Sequence, residues 1–287
     1  MKKKVKTRKK ITLQSVIMYI LLILTALMFA TPMLFTLLSS IKTKVEIFAK
    51  PFSWPEVPQW SNYVEAWTSA NMSHYFLNSL IQAGATVIVL AIVSTMAAYV
   101  LSRFDFIANK FIQTSFVSAM GVPAIMVVLP LFSIISGMGI LNNVAAGRTV
   151  LIILYVGINV PYTTIFLLTF FSNISRTYEE AAAIDGCPPM RTFWKIMFPM
   201  AQSGIVTVTI FNFINIWNEY FLSLIFASSD KLKPVAPGLY GMINSMKYTG
   251  DWAGMFAAVI IVFLPTFILY IFLSEKIIGG VTGGIKG

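Results

Sequence analysis

Long charge-free stretches alternate with short charged ones along the whole chain. No Asp, Glu, Lys or Arg occurs from Ile11 to Ile41, Ala66 to Ser102, Phe111 to Gly147, Thr149 to Ser175, Ile196 to Asn218 or Trp252 to Ser274. Each stretch exceeds the roughly 20 apolar residues that cross a bilayer core of about 30 Å. In hydrocarbon the backbone must satisfy its own hydrogen bonds, so each stretch is predicted to be a helix. The pattern gives an all-α membrane protein of six transmembrane helices, at residues 14–39, 77–101, 112–136, 149–171, 203–226 and 253–274. Pro32 is expected to kink the first span, Pro123 and Pro130 to bend the third, and Pro161 lies within the fourth, because proline removes a helical hydrogen bond.

Charge sets the expected orientation. With the N-terminus inside, fourteen Lys and Arg fall on the cytoplasmic side and seven on the other, and cytoplasmic flanks are the Lys/Arg-rich ones. Both termini are therefore expected to be cytoplasmic. The organisation is then a basic N-terminus at 1–13, a six-helix domain at 14–275 with a long cytoplasmic loop at 172–200, and a tail at 276–287.

The net charge of +10 raises the question of nucleic acid. Seven of the basic residues lie in the first ten positions, directly before a span, which suits anionic lipid head groups instead. That apolar run is longer than a leader peptide's and no A-x-A site follows it, so removal is not expected. The single cysteine, Cys187, excludes an intrachain disulfide, and no His/Cys/carboxylate cluster has metal-ligand spacing. The one histidine, His74, reads as an interfacial side chain. The segment at 41–75 carries Trp54, Trp60 and Trp67 among prolines, an interfacial belt or a partner-docking surface.

The loop at 172–200 carries the most specific pattern. Thr177 followed by Glu180 is predicted to form a capping box, with Glu179 and Glu180 in the first turn, where the helix dipole favours acids. Ala181, Ala182, Ala183 and Ile184 extend the helix, Gly186 suits a left-handed stop, and Pro188-Pro189 prevent continuation. The result is a helix of about eight residues and about 12 Å, marginal in water unless packed. It could lie on lipid head groups or dock a protein.

Glu180-Ala181-Ala182, three residues, Gly186, nine residues, then Ile196-Met197-Phe198-Pro199 resembles the E-A-A…G…I-x-L-P loop of ABC importer permeases. Phe198 stands where that pattern has Leu, and Cys187 where Ala is more usual. Asp185 and Phe193 resemble the carbohydrate branch. Trp217-Asn218-Glu219-Tyr220 resembles the W-N-E-F/Y segment of maltose-transporter-type permeases, and Gly280 to Gly287 resembles their glycine-rich ending. The chain is thus similar to the smaller, six-span permease of that type, with the type I importer fold.

The resemblance implies the rest of the assembly: a second permease subunit, two cytoplasmic ABC ATPases and an extracytoplasmic sugar-binding protein, all within membrane lipid. ATP would be bound by the ATPases, since this chain has no phosphate-binding loop of its own. Neither a catalytic residue nor a cofactor is expected. Glu179, Glu180, Ala181, Ala182, Asp185, Gly186, Arg191, Phe193 and Pro199 would couple to the ATPase, and Gly283, Gly284 and Lys286 of the tail would contact it. Asn212, Asn215, Asn218 and Glu219 mark either the translocation path or the permease interface, because polar groups inside a span face a cavity or partner. The alternatives are an importer permease for a non-sugar solute and a secondary transporter.

Overall fold

The computed structural model describes residues 12–68 and 70–283. Its elements are helices throughout: α1 (Leu13–Ser39), α2 (Lys44–Ala49), α3 (Ser61–Thr68), α4 (Met72–Arg103), α5 (Asn109–Met120), α6 (Ala124–Gly137), α7 (Val144–Asn173), α8 (Thr177–Ile184), α9 (Pro189–Thr192), α10 (Phe198–Met200), α11 (Gln202–Trp217), α12 (Phe221–Phe226), α13 (Val235–Thr249) and α14 (Trp252–Gly283). Four stretches, Leu13–Ser39, Met72–Arg103, Val144–Asn173 and Trp252–Ser274, are single helices long and apolar enough to cross a membrane.

Two expected spans are not straight helices, and the count reaches six only if each bent pair is one span. Between α5 and α6 the axis turns by 95° at Gly121-Val122-Pro123. Pro123 adopts an extended conformation, ψ 126°, and so starts a new helix. Pro130 stays inside α6 without breaking it. The segment Pro189–Met200 meets Gln202–Trp217 at 74°, and the expected span at 203–226 is interrupted at Asn218-Glu219-Tyr220, after which α12 resumes. A five-residue π turn, Phe193–Met197, leads into α10. Such a wider turn gives room where Pro199 lacks an N–H and its ring would press on the carbonyl of Lys195.

Helices α4 and α7 pack along most of their length, with α11 against both and α14 against α11. Gly204 permits the close approach of α11 to α7, since a Cβ there would sit 2.6 Å from the Phe170 ring. Two buried clusters fill this centre. One joins Leu90, Leu151, Tyr155, Ile216 and Phe226; the other joins Tyr99, Leu167, Phe171, Phe193, Met197 and Val208 at the end that carries α8. Helix α1 stands aside, its apolar window wholly unburied, and meets α14 through an edge-to-face contact of Phe35 with Phe256 at 5.5 Å.

The opposite end is closed by hydrogen bonds to the segment between α12 and α13. His74 Nε2 donates to the Lys231 carbonyl at 3.0 Å, Asn78 Nδ2 donates to the carbonyls of Lys231 and Lys233, and Gln82 Nε2 donates to that of Leu232. Arg148 in turn donates to Asn78 Oδ1 at 2.8 Å. The i, i+4, i+8 spacing of His74, Asn78 and Gln82 puts all three on one face of α4.

Candidate functional site

The short helix α8 spans the eight residues Thr177–Ile184, but it starts differently from the sequence expectation. Arg176 at its N-cap is already right-handed, φ −66°, and makes no side-chain cap hydrogen bond; Ser175 Oγ accepts from Thr177 N at 3.3 Å. The Thr177 hydroxyl bonds Ser175 Oγ at 2.8 Å instead, so the Thr177–Glu180 capping box does not form. The other end follows the sequence closely. Gly186 has φ +71°, Cys187 N donates to Ala182 O at 2.8 Å and Gly186 N to Ala183 O at 3.0 Å. These two bonds are the paired signature of a Schellman stop.

The faces of α8 divide sharply. Glu179 and Ala182, three residues apart, turn toward the bundle: Ala182 is buried, and Glu179 Oε2 lies 3.0 Å from Arg103 Nε. The contact is an ion pair rather than a well-directed hydrogen bond from Nε. Arg103 is itself fixed at the end of α4 by donation from Nη2 to the Ile174 carbonyl at 2.7 Å. Tyr178, Ala181, Ile184 and Asp185 turn outward, Ile184 at 87% exposure. Glu180 sits between the faces and lines, with Arg103, Arg176 and Cys187, a cleft of about 290 Å³.

The remaining loop residues separate likewise. Arg191 and Pro199 are exposed, whereas Phe193 is buried and packs on Tyr99 at 5.0 Å and Trp194 at 4.9 Å. Phe193 therefore ties the loop to α4 and α7 from within. Arg103, Tyr178 and Ile184 stand outside the coupling residues that the sequence pattern picks out. The i, i+3, i+6 spacing of Tyr178, Ala181 and Ile184 was the available signal for an outward apolar stripe. Gly284 and Lys286 lie outside the described residues, and Gly283 is the last residue of α14.

A second group lies where α7 crosses α11, as three polar rungs. Asn212 Nδ2 donates to Thr163 Oγ1 at 2.9 Å, and Asn215 Nδ2 to Asn159 Oδ1 at 3.2 Å. Tyr155 donates its hydroxyl to Glu219 Oε2 at 3.0 Å. Each rung moves three or four residues along α11 and into the break that follows it, and four back along α7, as antiparallel segments require. Asn212 is buried, while Asn215 and Asn218 are exposed. The three asparagines do not share one face: a three-residue step advances about 300° on a helix of 3.6 residues per turn, so the stripe winds outward.

Glu219 occupies the break between α11 and α12. Its Oε1 accepts from Leu222 N at 2.6 Å and Oε2 from Ser223 N at 3.1 Å. The carboxylate thus satisfies two N–H groups in the first turn of α12, where the helix dipole also favours it.

No group of three or more His, Cys, Asp or Glu able to hold a metal exists among the described residues. A family model described as binding-protein-dependent transport system inner membrane component matches residues 88–275, which include both groups just described. The chain is similar to the diacetylchitobiose uptake system permease protein of Streptomyces coelicolor, 35% identical over 93% of this chain and 87% of that one. It is also similar to the sulfoquinovosyl glycerol transport system permease protein of Agrobacterium fabrum, 30% identical over 89% of this chain and 88% of that one. Its fold matches a chain of a bacterial ABC transporter importing the acidic polysaccharide alginate, with a TM-score of 0.80 at 21% identity, over 91% of this chain and 95% of that one. The protein is not itself an enzyme but a multi-pass inner-membrane component of a binding-protein-dependent transport system, and it belongs to that family.

Proposed function

We propose that this chain is a permease subunit of an ABC importer for a sugar or oligosaccharide. It pairs with a second permease, is driven by two cytoplasmic ATPases, and receives substrate from an extracytoplasmic binding protein. Relatives named for diacetylchitobiose and for melibiose, raffinose and stachyose support the substrate class. In this reading α8 faces the cytoplasm, in line with the basic residues that flank the spans.

The observation that carries the reading is the build of α8. A solvated helix of eight residues is marginal alone, yet here one face is anchored by Arg103–Glu179 and Ala182 while the other exposes Tyr178 and Ile184. A helix fixed on its own bundle and apolar on its free face can carry motion between two bodies. An ATPase cleft would take the free face, and Arg103 and Phe193 would pass the displacement to α4 and α7. Glu180, Asp185 and Arg191 would supply polar contacts at its rim, and Pro199 would keep the following turn rigid. Gly283, Gly284 and Lys286 would contact the ATPases from the tail.

The test is reconstitution with and without the companion subunits, using tritiated raffinose and diacetylchitobiose. Uptake should require all four kinds of subunit together with ATP, and Ile184→Asp should abolish it without releasing this chain from the second permease. ATP hydrolysis by this chain alone, or full uptake by Ile184→Asp, would contradict the assignment.

A further inference from the structure

The α7–α11 crossing presents polar groups that the chain does not itself use up. Asn159 lies at the middle of the 30-residue α7; Asn215 pairs with it from the last turn of α11, and Asn218 follows as the C-cap of that helix. Asn215 gives one N–H to Asn159 and Asn218 one to the Ile214 carbonyl. Their side-chain oxygens and second N–H groups meet no partner among the described residues, and both side chains are exposed. One turn from Asn159, Tyr162 exposes 38% of its surface. Carboxamides at this depth are costly against hydrocarbon, so this face meets a cavity or a partner.

Its chemistry is uncharged. No Lys, Arg, Asp or Glu occurs from Thr149 to Ser175 or from Ile196 to Asn218. The neighbouring carboxylate, Glu219, is engaged by Tyr155 Oη, Leu222 N and Ser223 N. These two segments therefore offer no cation to replace the hydration of an anionic substrate, and the fixed carboxylate would repel one. Carboxamides that both donate and accept, beside an aromatic ring, match the hydroxyl edges and apolar C–H face of a sugar ring.

We propose that Asn159, Asn215, Asn218 and Tyr162 form one wall of an intramembrane site that holds a neutral saccharide during translocation, so that this subunit contacts substrate directly and disfavours acidic sugars. The proposal rests on the reading of the chain as a saccharide permease.

It is tested in the full complex, in proteoliposomes, on a Cys187→Ser background. Asn215→Cys and Asn218→Cys should react with a membrane-impermeant methanethiosulfonate during turnover, and raffinose or diacetylchitobiose, whichever is taken up, should slow the reaction. Trigalacturonate at equal concentration should not. Asn215→Leu should lower uptake about fivefold to tenfold, the loss expected for one or two hydrogen bonds, with assembly unchanged. Absence of labelling means the asparagines are packed on the second permease and overturns the proposal. Labelling without protection, or equal protection by trigalacturonate, overturns it too, while uptake of no saccharide at all would overturn the transport reading first.

Discussion

At the scale of single residues, two carboxylates illustrate how local geometry fixes a role. Glu46 caps α2: its Oε2 accepts from Thr43 N at 2.9 Å and Thr43 Oγ1 at 2.8 Å, and its Oε1 accepts from Glu56 N at 2.9 Å. The Thr43 backbone bond, then that of Glu56, lowers its pKa to about 2. A depressed carboxylate contributes stability that is present above its unfolded pKa and lost as pH falls through the folded one. Protection of the Thr43 and Glu56 amides from exchange, relative to the unfolded chain, should therefore hold at neutral pH and fall as pH drops from about 4.5 toward 2. Glu46→Ala should lack that protection at every pH, and wild-type protection persisting unchanged at pH 2 would refute the cap's role. Glu219 makes the complementary case. Glu219→Ala leaves two backbone N–H groups and the Tyr155 hydroxyl unsatisfied, each costing about 1–3 kcal/mol. The midpoint of thermal unfolding in detergent should fall clearly for Glu219→Ala and less for Glu219→Gln, whose oxygen still accepts. Equal midpoints for wild type and Glu219→Ala would rule out the capping role.

At the scale of elements, the same short motif succeeds once and fails once. Both Thr43–Glu46 and Thr177–Glu180 have the spacing of a capping box. The first forms, and the second does not because Ser175 takes the Thr177 hydroxyl and Arg176 has already turned helical. Helix α8 is held instead by tertiary contacts, above all Arg103–Glu179, whose side chains are 6% and 19% exposed. Removing one partner of a buried pair leaves an uncompensated charge, at about 3–5 kcal/mol, whereas removing both is much milder. Arg103→Met and Glu179→Met should each uncouple ATP hydrolysis from the substrate-loaded binding protein, and the double variant should recover part of the coupling. Additive losses in the double variant would mean that the pair does not orient α8. The Gly186 stop was legible because a helix ended by Gly and two prolines has few other solutions. The anchoring of Glu179 was not, since Arg103 lies far away in sequence and only folding brings the two together.

At the scale of the whole molecule, the helical membrane fold follows from the charge-free runs, because hydrocarbon tolerates so few backbone solutions. The breaks were harder to read. Pro123 announced a bend, but the 95° angle depends on its extended backbone. The interruption at Asn218-Glu219-Tyr220 contains no proline at all, and its cause is the carboxylate that caps α12. Asn212, Asn215 and Asn218 were visible as polar groups inside a span, yet their different exposures follow from the helical twist and from what α7 sets opposite them. The account joins these parts into one lever, in which ATPase motion enters at α8 and reaches the polar face of α7 and α11 through Arg103 and Phe193.

The most direct test of that lever is the number of sugar molecules transported and ATP molecules hydrolysed by complexes carrying Gly186→Val, reconstituted in proteoliposomes with the loaded binding protein. No atom lies within 4 Å of a Cβ at Gly186, so the substitution acts through the backbone. A side chain held at φ +71° costs about 1–2 kcal/mol, which lowers the population of correctly aimed α8 about fivefold to thirtyfold. The account predicts an assembled complex in which uptake and stimulated ATP hydrolysis fall together by that factor. An assembled Gly186→Val complex that keeps full uptake and full stimulated hydrolysis would contradict it.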